Sequence, residues 1–454
     1  YLFDFVEPGT YNLSVDHPGF GAFVQRGIIV QVRGDVTVDV VLQVGQLSER
    51  IEVAETSVTL QFNSSTMSMT VDRKMLENLP VLARNPFSLA LLDPAAVNRY
   101  TATRYPFYMW SSSRMDVGGS SDMKNDLQLD GAPLQIGQKG SYSPPMDAVQ
   151  EFAVLQNPVD AEFGHGAGGN LSVGMKSGTN QFHGGLYYFG KNPALNAVSN
   201  SVTRAANLNR NHIWGGMLGH PIKRNKLFSF TSYEAWKTKD PLSKFYTLPT
   251  ETERSGDFSK TLTAAGALRP IYDPLTTRVD TAGRVTRTPF PDNAIPVARM
   301  DPTALRMLKD IWLPNGPGDD AMHTNNYKAG YSSNIDYWNF SNRTDWNITD
   351  RWKAFGRYSV FRTRSGEDNY SPNRSAALTN GTAGVMNSLN IAGDMVYILN
   401  PTTVFNARFS YSSINDDYDA PDSRIGEAGL AAFWPSNPWY QPYIRDIPAI
   451  YYPA

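Results

Sequence analysis

The 454-residue sequence contains no cysteine. A disulfide framework, a thiolate metal site and a cysteine nucleophile are therefore excluded within it. Charge is also scarce, at 19% of residues. Lysine and arginine number 41 against 43 aspartates and glutamates, a formal charge of −2, so the basic excess of a nucleic-acid binder is missing. No run approaches the roughly 18 apolar residues of a membrane helix. The six histidines (His17, His165, His183, His212, His220 and His323) show no HExxH spacing. Neither a GxSxG elbow nor a Walker A loop occurs. His165-Gly166-Ala167-Gly168 has the look of an oxyanion loop, but its glycine-rich context fits a turn better. The reading is not an enzyme, and no cofactor is expected.

Aromatic residues are abundant: 22 Phe, 9 Trp and 23 Tyr, alongside 36 Gly and 30 Pro. High aromatic content, low charge and no apolar helix suit a β-rich chain of two to four domains that meets lipid through strands. The clearest patterning lies late in the sequence. Phe405, Ala407, Phe409 and Tyr411 alternate with Asn406, Arg408, Ser410 and Ser412. Leu389, Ile391, Met395 and Tyr397 oppose Ser388, Asn390 and Asp394, and Trp338, Phe340 and Trp346 oppose Asn339, Ser341, Arg343 and Asp345. Period-two alternation over about ten residues is what a membrane-spanning strand requires, one face in lipid and one in a polar lumen. Segments 182–190, 212–219, 227–237 and 352–363 alternate less cleanly; Phe355 and Phe361 share a face with Lys353 and Arg357. The intervening stretches, 191–211, 220–226, 238–336, 347–351, 364–387 and 398–403, are long and short in strict alternation. Transmembrane barrels have that rhythm, and a soluble sandwich has no reason for it.

Upstream, residues 1–48 read as the later strands of a small β-sandwich, with Val36, Val38, Val40 and Leu42 in one alternating strand. Residues 49–71 read as a Ser- and Thr-rich linker holding a short extended patch, Ile51-Glu52-Val53-Ala54. Two short helices follow, around Met75–Leu79 and Phe87–Leu91, punctuated by Pro80, Pro86 and Pro94. Tyr100, Tyr105, Phe107, Tyr108 and Trp110 crowd the loop 98–113, either as packing residues or as ligand contacts. Asp416, Asp417, Asp419 and Asp422 form an acidic loop that is a weak Ca²⁺ candidate; it lacks the EF-hand order, and a solvated loop fits as well.

Several motifs, in order and spacing, resemble the TonB-dependent receptors of Gram-negative outer membranes, most closely their Oar-like branch. Met146–Val154 followed by Ala161–Leu171 is similar to the end of the receptors' plug domain. Lys176–Gly184 resembles the lead into their first barrel strand. Leu79-Pro80 with Arg84-Asn85, Leu129-Asp130-Gly131, Gly215-Gly216 with Gly219–Ile222, Phe228–Glu234, Arg254–Ser259 and Ile271–Pro274 match further motifs of that branch. Pro8–Tyr11 and Pro18–Phe20 resemble the carboxypeptidase-regulatory-like sandwich placed before such plugs.

The resemblance implies a mainly β architecture: a partial β-sandwich (1–48), a linker (49–71), an α+β plug (72–181) and the first strands of a 22-stranded transmembrane β-barrel (182–454). Seven strands cannot close a barrel around a plug, so some fifteen more are expected downstream, and the chain reads as part of a longer polypeptide. The implied function is uptake of a ligand across the outer membrane, driven by TonB of the inner-membrane complex. Ile51–Ala54 would be the TonB contact, loops 98–113 and 132–144 the outer apex of the plug, and outer-membrane lipid, an extracellular ligand and a surface lipoprotein the other partners. The alternatives are an outer-membrane adhesion or protein-export component, and a soluble glycan-binding β-protein.

Overall fold

The structure, a computed structural model, describes residues 3, 6, 9–30, 36–44, 50–54, 67–81, 83–98, 106–107, 114–121, 124–137, 139–156, 166–198, 202, 207–367, 383–400 and 402–419. Near the N-terminus, β1 (Gly9–Val15) and β2 (Ala22–Val30) form an antiparallel pair, and β3 (Arg50–Ala54) adds in parallel to β2. The strand expected over Val36–Leu42 does not form. Exposure alternates along it, but among the described residues the chain there makes no ladder; just after it, Gly21 N–H donates to Gln43 C=O at 3.0 Å and Val44 bridges to Phe20. An alternating pattern reports an extended chain; a strand also needs a neighbour with free backbone groups.

The second unit is a globule around a five-stranded sheet. Its order is β4 (Met67–Val71), β11 (Val149–Gln156), β12 (Asn170–Met175), β7 (Asp126–Leu129) and β8 (Ala132–Pro133). Between β4 and β7 lie the two expected helices and a short pair, β5 (Ala96–Asn98) with β6 (Met115–Val117). Between β8 and β11, β9 (Gln135–Ile136) pairs with β10 (Lys139–Gly140). Helix α1 (Arg73–Asn78) starts where the Asp72 carboxylate accepts the Met75 N–H, and Asn85 does the same for Phe87 at a 3₁₀ helix, Pro86–Leu92. That 3₁₀ helix buries Phe87, Leu89 and Ala90 against the sheet, with the Phe87 and Phe152 rings edge to face at 6.4 Å. Val71, Leu127, Leu129, Val154, Leu171 and Val173 complete a fully buried core.

The third unit is a continuous antiparallel wall of seven strands in sequence order. They are β13 (His183–Lys191), β14 (Arg210–Lys223), β15 (Leu227–Tyr246), β18 (Tyr327–Thr349), β19 (Trp352–Glu367), β20 (Ala383–Asn400) and β21 (Thr403–Asp419). All seven expected strands are present, and most are longer than their alternation suggested. The connections 192–209, 224–226, 247–326, 350–351, 368–382 and 401–402 keep the long–short rhythm. Among the described residues the sheet is open, with β13 and β21 at its edges.

The wall's faces divide as the alternation required. Asn339, Ser341, Arg343 and Asp345 are buried inward, while Trp338 and Trp346 are exposed outward. Outward aromatics gather at two heights. Trp346, Trp352, Tyr397 and Phe405 lie at the short-turn end, with Trp352 and Tyr397 ring to ring at 6.0 Å. Tyr188, Trp214, Tyr233 and Trp338 lie toward the long connections. Trp338 and Trp346 are eight residues apart, about 26 Å along a strand. A barrel tilt reduces that to about 20 Å, close to the apolar band of outer-membrane barrels. Just beyond Trp338, Lys237 pairs with Asp336 at 4.0 Å in the open, as expected of a rim in water.

The longest connection, 247–326, is itself folded. The Arg254 guanidinium, on α2 (Glu251–Arg254), donates to the carbonyls of Leu308 and Ile311, both at 2.7 Å, at the C-terminal end of α3 (Pro302–Asp310). A two-stranded hairpin, β16 (Arg278–Val279) with β17 (Val285–Thr286), lies between those helices. The Asn326 side chain closes the base, accepting from Leu248 N–H and donating to Leu248 C=O, both at 2.8 Å.

The outward face makes a direct prediction. Phe340→Arg, mid-band, costs about 2–4 kcal/mol of stability in lipid, falling toward zero for arginine placed at the rim. Equilibrium urea unfolding in bilayers measures both.

Candidate functional site

The residues that do most to position one unit against another lie where the globule meets the inward face of the wall. Asp130 and Gly131 make a tight turn between β7 and β8, both with positive φ (51° and 74°). The Asp130 carboxylate is buried and receives Met175 N–H at 2.8 Å, Arg343 Nη1 at 3.0 Å and Arg357 Nη1. Arg357 also donates to Leu129 C=O at 2.9 Å and to Asn390 Oδ1 at 2.6 Å. Arg408 reaches Gly131 C=O at 2.9 Å while pairing with Asp394 at 2.5 Å. Three arginines, from β18, β19 and β21, thus converge on one turn of the globule.

Burial alone would raise the pKa of Asp130, but Arg343 and then Arg357 hold it below the ordinary carboxylate value. An unpaired charge at this depth would be costly, and the arrangement pairs each one. Arg343 is shared with Asp345 at 2.8 Å, and Asp345 in turn accepts from Ser177 at 2.7 Å.

A second ionic contact runs the other way, with the cation on the globule. Arg84, at positive φ of 49°, reaches the wall's fully buried Glu234 through Nε at 2.9 Å and Nη2 at 2.6 Å. It also pairs with Asp147 of the globule. Glu234 takes two further bonds, from Tyr187 Oη and Trp236 Nε1, each at 2.9 Å. Tyr187 reaches it across Gly215, where a Cβ would collide with the Tyr187 ring. Burial pulls the Arg84 pKa down, but facing Glu234 and Asp147 more than reverse this and hold it above its ordinary value. Its guanidinium also lies 4.8 Å from the Tyr187 and Phe189 ring centres.

Further contacts fasten the globule to the wall. Tyr142 is buried; its hydroxyl donates to Asn339 Oδ1 at 2.7 Å, and Asn339 Nδ2 donates to Ser143 C=O at 3.0 Å. Burial pushes the Tyr142 hydroxyl up to about 12, so it remains a donor. Ser388 donates to Ser141 C=O. Where the globule runs into β13, Asn180 and Asn225 exchange two bonds of 2.7 Å. A Cβ on Gly178 would meet Ser229 O at 2.5 Å and His220 O at 2.8 Å, so only glycine fits that crossing.

Of the five aromatics expected in the ligand loop, the described residues include only Phe107. It is 3% exposed, 4.9 Å from the Tyr337 ring and 5.8 Å, edge to face, from Trp236. Phe107 therefore packs against the wall, as the packing alternative for this loop expected. Tyr100, Tyr105, Tyr108 and Trp110 lie outside the described residues. Ile51–Ala54 forms β3, as an extended patch should. Asp416, Asp417 and Asp419 lie in β21 as strand rather than in a loop, and Asp422 lies outside the described residues. Among the described residues no three His, Asp or Glu gather as metal ligands.

The ionic residues were named in the sequence only as parts of motifs or of polar faces. The signal that could have singled them out is charge on the inward face of strands, where water alone does not account for arginine. Phe355 and Phe361 beside Arg357 carry that signal most clearly. Their face is covered by the globule, with Phe361 stacked 6.3 Å from Tyr142 and Arg343 lying 4.6 Å over Phe355.

Comparison with known proteins adds three findings. A family model described as outer membrane beta barrel domain matches residues 174–452. The TonB-dependent transporter Oar of Myxococcus xanthus is 24% identical over 292 residues, covering 58% of this chain and 26% of that protein. The chain thus spans about a quarter of that relative's length. Among solved structures, the outer-membrane transporter YddB of Escherichia coli is 11% identical with a TM-score of 0.45, over 78% of this chain and 39% of that one. The ferric enterobactin receptor PfeA of Pseudomonas aeruginosa is 12% identical with a TM-score of 0.41, over 77% and 40%.

The clamp predicts a pH response. Because the folded-state pKa of Asp130 lies below its unfolded value of about 3.9, its stabilisation is complete above that value and is lost as pH falls through the lowered one. Acid titration followed by protease access to the globule should show release only in strong acid. Asp130→Ala, which leaves the buried Arg357 without a carboxylate partner, should destabilise the assembly by about 3–5 kcal/mol at neutral pH, read by thermal unfolding.

Proposed function

Because this chain belongs to the outer membrane β-barrel family and so lies in the outer membrane of a Gram-negative bacterium, we propose that it is the receptor end of an energy-driven importer. In this reading residues 72–181 are a plug and 182–454 the beginning of the barrel around it. Residues 1–48 are a periplasmic sandwich and 49–71 the linker through which TonB pulls. A ligand held outside by the apical loops, residues 98–113 and 132–144, passes when the plug yields.

The observation that carries the reading is the chemistry of the attachment. Beside ring contacts such as Phe107 on Tyr337 and Tyr142 on Phe361, the plug is held through ion pairs and hydrogen bonds: Asp130 to Arg343 and Arg357, the Gly131 carbonyl to Arg408, and Arg84 to Glu234. Such groups are rehydrated when they separate, so a polar interface can open and close again at modest cost. A wholly apolar seam would expose hydrocarbon surface to water each time. The outward aromatic belts oppose a soluble glycan-binding protein. The Oar relative is a TonB-dependent transporter by name, which supports import over adhesion or export.

Tyr100, Tyr105, Tyr108 and Trp110 are the proposed ligand contacts, offering flat apolar faces to a sugar, peptide or porphyrin-like ligand. Ile51, Glu52, Val53 and Ala54 are the proposed TonB contact, since strand addition needs little beyond main-chain groups. Lipid surrounds the wall, and a surface lipoprotein is a further partner of the outer loops. Deleting Glu49–Glu55 should abolish ligand accumulation in the periplasm while leaving surface binding intact. Accumulation at the intact level would overturn energy coupling through this segment. Alanine at Tyr105, Tyr108 and Trp110 should weaken ligand binding at least tenfold in combination; unchanged binding removes the loop from the ligand site.

A further inference from the structure

Beyond its upper aromatics the wall meets water on both faces, so lipid no longer imposes an alternation there. Charge keeps the parity nonetheless. On β15, Lys237 and Lys239 are exposed on the outward side, while the alternate Thr238 and Asp240 take the inward side. On β19, Arg362 and Arg364 are exposed outward and Thr363 and Ser365 alternate with them. Arg210 of β14, also exposed, is the register partner of Lys239. The cations begin where the aromatics end. Arg362 is the partner of Trp338, and Lys237 stands two positions past Ala235, the partner of both Trp214 and Trp338. Asp336 of β18 divides the row: it is the partner of both Lys237 and Arg364, and pairs with Lys237 at 4.0 Å. Among the described residues no carboxylate pairs with Arg210, Lys239, Arg362 or Arg364.

We propose that this outward rim binds a lipid of the outer-facing leaflet that carries two phosphate groups. Arg210, Lys237 and Lys239 hold one phosphate, Arg362 and Arg364 hold the other, and the chains lie along Trp214, Trp338 and Tyr358. The long connections face outside in a transmembrane barrel, which puts the row at the head groups of that leaflet. Arginine offers phosphate a paired set of donors, and lysine a compact charge. Lys237 and Arg364 are two strand spacings apart, about 10 Å between backbones. With the Asp336 carboxylate between them, two separate anions fit better than one. A soluble anion would use the cations alone, whereas a lipid also uses the exposed aromatic face directly below. The site faces away from the lumen, so it is separate from any path of uptake.

To test this, the full-length protein is stripped of lipid in a nonionic detergent and titrated with diphosphoryl lipid A, and separately with its monophosphoryl form. Bound lipid is counted by native mass spectrometry. The diphosphoryl lipid should bind at least tenfold more tightly, given an effect on the order of fivefold for each basic residue at a charged membrane surface. Lys237→Gln with Lys239→Gln should remove that advantage, and so should Arg362→Gln with Arg364→Gln; either pair leaves one phosphate site. All four substitutions are at exposed positions. The control is Lys223→Gln with Lys226→Gln and Arg351→Gln, at the short-turn end, which should change affinity less than twofold. Equal affinity for the two lipids overturns the proposal, as does an equal loss in the control, which marks attraction by net charge alone. Full displacement of the lipid by millimolar inorganic pyrophosphate overturns it too, because the site then serves a free anion.

Discussion

Hydrocarbon offers no hydrogen-bond partner to a peptide group, and the wall's construction follows from that constraint. Each strand must satisfy its backbone on both neighbours, which favours long pairings with few interruptions. β15 and β18 are in register over twenty consecutive positions, from Leu227–Trp346 to Tyr246–Tyr327. An uninterrupted ladder imposes a period of two on the side chains. One parity therefore receives Trp338, Phe340 and Trp346, and the other receives Tyr337, Asn339, Ser341, Arg343 and Asp345.

The inward parity then determines how anything inside can be held. A polar lining cannot be covered by a purely apolar globule without stranding its hydrogen bonds. The globule answers with matched polar groups at its surface: Asp130 for the arginines, Arg84 for Glu234, and Tyr142 with Ser143 for Asn339. The three arginines on the Asp130–Gly131 turn come from strands that are not all neighbours, so their convergence depends on the curvature of the wall as much as on their identity. Single glycines admit close approaches here, Gly178 at the crossing into β13 and Gly215 beneath Tyr187.

One hairpin ties the levels of the molecule together. Beyond the upper aromatics, β15 and β18 run to the base of the folded 247–326 connection, closed by Asn326 and Leu248. Lower down, β18 holds Phe107 through Tyr337 and Tyr142 through Asn339. Lower still, it holds Asp130 and Ser177 through Arg343 and Asp345. Separating the globule from the wall therefore has to break contacts at several heights along one strand.

The wall was legible in the sequence because its faces are decided by solvent alone: lipid against lumen writes a period of two that needs no knowledge of neighbours. The seven strands, their outward aromatics and the rhythm of their connections could all be read this way. Strand ends were not legible, since hydrogen bonding continues past the last apolar residue; Asp416, Asp417 and Asp419 read as loop for that reason. Val36–Leu42 failed in the opposite sense, with alternation present but no ladder among the described residues. The roles of Phe107, Asp130, Arg84 and Glu234 were settled only by tertiary structure. An aromatic ring or a charge carries the same letter whether it faces water, ligand or a partner, and what distinguishes these cases is the group that long-range folding brings opposite it.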